Sequence, residues 1–167
     1  MKSIHAISTS TRSVPHTTVQ WQEAVQGAAN EIARRALGFS GAEVSEPISL
    51  YQSAGMVGAH IPLVGNPSYE LSLVATRPNC SKLATAILGM NAEELPAGTI
   101  PDAIGEIVNM LAGGVKRRLA ASGGDLELGL PVFVNGTVEP SGTQSVLAFA
   151  AQLGSLSVMV LILGPKN

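Results

Sequence analysis

Two stretches of this chain repeat one another, and that repeat constrains the possible folds more than any other feature of the sequence. Laid side by side without gaps, residues 23–41 and 106–124 agree at Glu23 and Glu106, Val25 and Val108, Ala29 and Ala112, Arg34 and Arg117, Arg35 and Arg118, and Gly41 and Gly124. In each copy a helical pattern comes first and a set of strand-like runs follows. The simplest architecture is an α/β (α+β) fold built from a duplicated helix-plus-strands unit, with a largely antiparallel sheet packed by long helices and a shorter helix bridging the halves. Such matches also arise by chance between two amphipathic helices, so the sequence alone leaves the duplication as an expectation.

Periodicity places the elements. Trp21, Ala24, Val25, Ala28 and Ile32 form one apolar stripe and predict a helix over residues 21–37, ended by Gly38 and Gly41. Strands are expected over 42–51, 55–64 and 69–76, and a short helix over 81–88 closed by Gly89. The strongest helix signal covers 99–121, with Thr99 as cap, Pro101 in the first turn and Asp102 near the positive helix end. Further strands are predicted over 126–134, 143–152 and 156–163, the last two joined by a hairpin at Gly154-Ser155. Residues 1–18, rich in Ser and Thr, read as a leader with at most one short strand, and 19–167 as a single domain.

Composition narrows the function classes. The chain is 46% hydrophobic but only 4% aromatic, so Leu, Val, Ile and Ala must fill the core. Charged residues make up 13%, low for a surface wetted on all sides, which leads us to expect a partner or a second copy over part of it. A formal net charge of −2 offers no basic field for nucleic acid. With Cys80 the single cysteine, no internal disulfide or cysteine zinc cluster can form. His5, His16 and His60 have no metal-site spacing, so no metal is expected on this chain. No G-x-S-x-G, Walker A or G-x-G-x-x-G motif is present. The N-terminus lacks the apolar core of a signal peptide, and no apolar run is long enough to cross a bilayer as a helix, so we expect a cytoplasmic protein with no membrane insertion.

The chemistry-bearing pattern lies in the predicted long helix. At about 100° per residue, Ile104, Ile107, Val108, Leu111, Val115 and Leu119 cluster on one face, and Asp102, Glu106, Asn109 and Gly113 on nearly the opposite one. Glu106 and Asn109, at i and i+3, therefore stand side by side on the outer face. From geometry alone, a carboxylate and an amide there are as readily two solvated side chains as a site. Gly113 and Gly114 suit either the close approach of another molecule or helix packing.

The run Asp102-Ala-Ile-Gly-Glu106-Ile-Val-Asn109-Met-Leu-Ala-Gly113, with Pro131 following some twenty residues on, resembles the signature of the CheX, CheC and FliY chemotaxis phosphatases, closest to the CheX type. The resemblance extends over roughly residues 21–167. It implies a phosphatase acting on the aspartyl phosphate of a response-regulator receiver domain such as CheY, with Glu106 and Asn109 as catalytic residues. Asn109 would orient the attacking water, Glu106 would pair with a receiver lysine, and Asp102 and Gly113 would face the partner. It also implies no cofactor on this chain, with magnesium carried by the phosphorylated receiver, and a homodimer joined through its sheets. By the internal repeat, Glu23 and Gln26 occupy the places of Glu106 and Asn109, a possible vestigial second site. The alternative under the same resemblance is a non-catalytic CheC-like receiver-binding or flagellar-switch module. An uncharacterised small-molecule-binding α/β domain is a third possibility.

Overall fold

The computed structural model describes residues 16–49, 54–136 and 138–166. The first helix, α1 (Thr18–Arg35), starts on a reciprocal cap. The Thr17 hydroxyl accepts from the Gln20 backbone N–H at 3.2 Å, and the Gln20 side chain accepts from the Thr17 N–H at 2.7 Å. His16 and Thr17, assigned to the leader from sequence, thus belong to the helix entrance, because free N–H groups at a helix start need partners. The rest of the expected leader, residues 1–15, lies outside the described residues, as does the end of the strand predicted to reach residue 51.

Strands β1 (Ala42–Ile48), β2 (Val57–Val64) and β3 (Tyr69–Ala75) follow, then α2 (Arg77–Leu88), a one-turn 3₁₀ helix (Ala92–Glu94) and α3 (Thr99–Ala120). Helix α2 begins four residues earlier than its apolar pattern predicts, because the Thr76 side chain caps it by accepting from the Asn79 N–H. Helix α3 is capped differently from the expectation. Gly98, at φ +81°, is the N-cap, and Thr99 is already helical with no capping hydrogen bond. Beyond α3, the single strand expected over 126–134 is broken in two, β4 (Glu127–Leu128) and β5 (Val132–Asn135), around Gly129-Leu130-Pro131. Proline lacks the N–H that a continuous ladder would need there. The hairpin of β6 (Gln144–Leu153) and β7 (Leu156–Pro165) forms as predicted, with Leu153 opposite Leu156 across Gly154-Ser155.

Every pairing between these strands is antiparallel, in the order β1-β6-β7-β3-β2-β4, with β5 also on β2. The order carries the duplication: exchanging β1 for β4–β5, β2 for β6 and β3 for β7 turns it into its own reverse. The two helices of the repeat therefore occupy equivalent places, α1 against β1 and α3 against β4 and β5.

The principal core lies between sheet and helices. Trp21, Val25, Ile32, Ile104, Ile107, Val108 and Leu111 pack onto Ile61, Leu73, Phe149, Val160 and Ile162. Trp21 meets Tyr69 edge-on at 4.8 Å between ring centroids and His16 edge-on at 5.7 Å. Central β7 is buried on both faces. Val158, Val160 and Ile162 face the helices, while Met159, Leu161 and Leu163 join Val74 and Ala148 in a second cluster on the far side. This two-sided burial explains its unbroken apolar sequence.

Helices α1 and α3 cross at contact distance. A Cβ on Gly114 would stand 2.8 Å from that of Ala28, and one on Gly27 would strike the Arg118 side chain. Glu31 on α1 then ties the pair, accepting from Arg118 at 3.0 Å and from Arg117 at 3.3 Å. The Arg118 hydrogen bond, with the charges of Arg117 and Arg35 adding to it, lowers the Glu31 pKa from its ordinary 4.5.

Candidate active site

The outward stripe of α3 is as the periodicity predicts. Asp102 and Glu106 are exposed, Asn109 and Gly113 half-buried, while Ile104, Ile107, Val108 and Leu111 are sealed in the core. The two adjacent glycines divide the roles the sequence left open. Gly114 is the helix-packing residue, against Ala28. Gly113 faces outward, and a Cβ there would meet nothing nearer than 3.7 Å.

One flank of the stripe is α1; the other is the segment between β4 and β5. Leu128 lies 4.0 Å from a Cβ built on Gly113, and Pro131 lies 3.8 Å from one built on Gly105. Lys116 and Glu127 pair at 3.6 Å at the start of the same segment. Residues 127–131 thus run antiparallel along α3, past the turns that carry Glu106 and Asn109. On the helical wheel, Asn109 lies between Glu106 and this segment.

The repeat supplies an internal comparison for Asn109. Gln26, its counterpart, has both ends of its amide engaged: the N–H₂ donates to the Ala42 carbonyl at 2.9 Å and the oxygen accepts from the Val44 N–H at 2.8 Å. One turn to either side, the Gln22 amide donates to the Ser45 carbonyl at 3.2 Å and the Asn30 side-chain oxygen accepts from the Ala42 N–H at 3.2 Å. These three amides, at i, i+4 and i+8, hold the backbone of edge strand β1, a role that periodicity alone does not reveal. Among the described residues, Asn109 makes no side-chain hydrogen bond and Glu106 no ion pair, so the corresponding face of α3 keeps its polar groups free. Glu23 is exposed beside the engaged Gln26.

Other candidates fall away from this face. A cavity of about 580 Å³ opens at the start of α3, lined by Val57, Arg77, Cys80, Leu95, Ile100 and Phe133, but Asp102, Glu106 and Asn109 do not line it. Burial pushes the Cys80 thiol up to about 11, which keeps it protonated and unreactive at neutral pH. Among the described residues no group of three or more His, Cys, Asp or Glu side chains is placed to hold a metal ion, and no helix is long and apolar enough to cross a membrane. Sequence reasoning did not single out Leu130, 82% exposed between β4 and β5, because it sat inside what looked like a continuous strand. The Gly-Leu-Pro frame around it was the available signal.

Fold and motif together define a two-fold repeated α/β module that displays a carboxylate and an amide on one helix. Residues 57–149, more than half of the chain, match the family model "Chemotaxis phosphatase CheX", and the chain belongs to that family. No curated protein sequence matches it. Among solved structures, it is similar to a CheC-like superfamily protein from Shewanella sp. PV-4 (TM-score 0.73, 16% identity, covering 89% of this chain and 99% of that one). It is similar also to the chemotaxis protein CheX from Desulfovibrio desulfuricans (TM-score 0.72, 16% identity, 87% and 99% covered). A third is CheX in the CheX–CheY–BeF₃–Mg²⁺ complex from Borrelia burgdorferi (TM-score 0.69, 15% identity, 88% and 98% covered). At these identities the likeness establishes the fold.

Proposed function

We propose that this chain hydrolyses the aspartyl phosphate of a CheY-like receiver domain, with Asn109 and Glu106 as its working residues. The observation that carries the reading is the contrast within the repeat. The Gln26 amide is consumed by β1, while among the described residues the Asn109 amide has no partner on its outward face, beside a carboxylate with none. Membership of a chemotaxis phosphatase family and the CheX–CheY complex among its structural relatives support the choice of partner.

An acyl phosphate is already activated, so the chain need supply little beyond position. The Asn109 side chain can accept from the attacking water and donate to a phosphoryl oxygen, which aligns the water with the bond to be broken. The water oxygen bonds to phosphorus, the bond from phosphorus to the aspartyl oxygen breaks, and inorganic phosphate leaves with the water's protons shared between it and solvent. Glu106, one turn away, pairs with an ammonium group on the receiver and fixes the helix over the site. Gly113 lets the receiver approach the helix without a side chain between them. Magnesium, held by the receiver's own carboxylates, offsets charge on the phosphoryl group.

The test is phosphate release from receivers labelled at aspartate, with and without the chain. Accelerated release lost in Asn109→Ala supports the reading. Binding without acceleration would leave the alternative of a receiver-binding module.

A further inference from the structure

Leu130 is the most exposed large apolar side chain among the described residues, at 82%, and it sits in a rigid frame. Its neighbour Gly129 is pinned to β2: the Gly129 N–H donates to the Pro62 carbonyl at 2.8 Å, and a Cβ at Gly129 would stand 2.9 Å from the Pro62 ring. Its other neighbour, Pro131, packs against α3 at Gly105, one residue before Glu106. With both neighbours held, Leu130 stays outside the core, 82% exposed. An isolated exposed leucine needs no explanation, but this one is held in water between two residues, Leu128 and Pro131, that lie against α3 at Gly113 and Gly105.

We propose that Leu130 is a docking anchor for the receiver, burying its side chain against an apolar patch that flanks the phosphoryl-aspartate. The inference rests on the receiver reading above and deepens it: Glu106 and Leu130 bracket Asn109, one grasping charge and the other apolar surface. The occupant follows from continuity. The segment from Leu128 to Pro131 runs along the same turns of α3, so a protein surface seated on Asn109 meets Leu130 as well. The rest of the outward stripe, Asp102, Glu106, Asn109 and Gly113, offers no large apolar side chain, so this flank supplies the apolar contact.

The experiment uses the full chain and a panel of receiver domains, read two ways: binding to receivers loaded with beryllofluoride and magnesium, and the KM and kcat of phosphate release. Leu130→Ser is expected to weaken binding and raise KM about tenfold, equivalent to ~1.4 kcal/mol, with kcat changed by less than twofold and thermal stability unchanged. Val19→Ser, at an exposed apolar position at the far end of α1, should alter none of these. Unchanged affinity and KM in Leu130→Ser, with wild-type turnover intact, overturns the anchor and leaves the phosphatase reading standing. Wild-type binding without turnover overturns the phosphatase reading, and weaker binding by Leu130→Ser then still supports the anchor. A variant whose own mass in solution falls while receiver affinity is unchanged assigns Leu130 to a second copy and overturns the proposal. A wild-type chain that binds no loaded receiver overturns both.

Discussion

Under the proposed function, Asn109 and Gly113 act on a partner outside the folded chain, and this separates their mutations from those of their neighbours. Because an amide that orients water acts mainly in the transition state, Asn109→Ala should lower kcat by about 100-fold with little loss of receiver affinity or melting temperature. Steady-state kinetics beside a thermal melt checks this. The adjacent glycines should respond in opposite directions. Gly113→Ala removes a flexible residue where a Cβ has room, so it should stabilise by up to about 1 kcal/mol. Gly114→Ala forces a Cβ against Ala28 and should destabilise by about 1–3 kcal/mol. Denaturant titration of the two variants measures both; a destabilised Gly113→Ala would mean that this position is packed. The sequence displayed Glu106, Asn109 and Gly113 in full, since helical periodicity projects them onto one face. It could not assign Gly114 to the α1 crossing, because that contact depends on a partner residue 86 positions away at Ala28.

At the level of elements, α1 and α3 are joined by a small apolar crossing and by the grip of Glu31 on Arg117 and Arg118. The arginines hold the Glu31 carboxyl below its ordinary pKa, so the clamp contributes stability above about pH 4.5 and loses it as pH falls through the lower folded value. Glu31→Gln should therefore lower the melting temperature at pH 7 and flatten the acid limb of the stability curve. Added salt should shrink the difference, because the carboxylate is partly exposed. Melting curves from pH 7 to 3 test the sign. The elements themselves were legible: α1, α3 and the β6–β7 hairpin lie within three residues of their predicted bounds, while α2 starts four residues early. The errors have local causes. Thr76 serves as a cap rather than a strand end, Gly98 displaces Thr99 as the cap of α3, and Gly129-Leu130-Pro131 splits a run whose apolar content suggested one strand. A capping hydrogen bond decides the first, a left-handed glycine the second, and a missing proline donor the third.

For the whole molecule, the repeat that organises the sheet does not duplicate, among the described residues, the free polar face of α3. The reversed strand order gives α1 and α3 equivalent surroundings, yet the amides of α1 are turned to β1. If α1 carries a vestigial face, an Asn109→Ala protein should retain no turnover that Gln26→Ala then removes. Gln26→Ala alone should keep activity while exposing β1 to faster hydrogen exchange, because two backbone groups lose their partners. Residual activity lost only in the double variant would show two working faces. The sequence revealed the repeat itself. It could not reveal that one copy spends its polar stripe on holding a strand, since Gln and Asn look alike whether they face backbone or water.

Trp21, the single tryptophan of the chain, gives this architecture its own optical gauge. Its indole is buried against Tyr69 and His16, at the seam where α1 meets the sheet, so its fluorescence should be blue-shifted in the native protein and should shift red when that seam opens. Burial lowers the His16 pKa below its ordinary 6.5, so the neutral imidazole persists beside the indole at mildly acidic pH. Further acidification converts it to a quenching cation and withdraws whatever stability the neutral form contributed. Emission intensity followed on lowering the pH should therefore drop at a point below 6.5, before any red shift. A receiver seated on α3 should leave the signal untouched, so that one fluorophore reports the integrity of the fold separately from the occupancy of its working face.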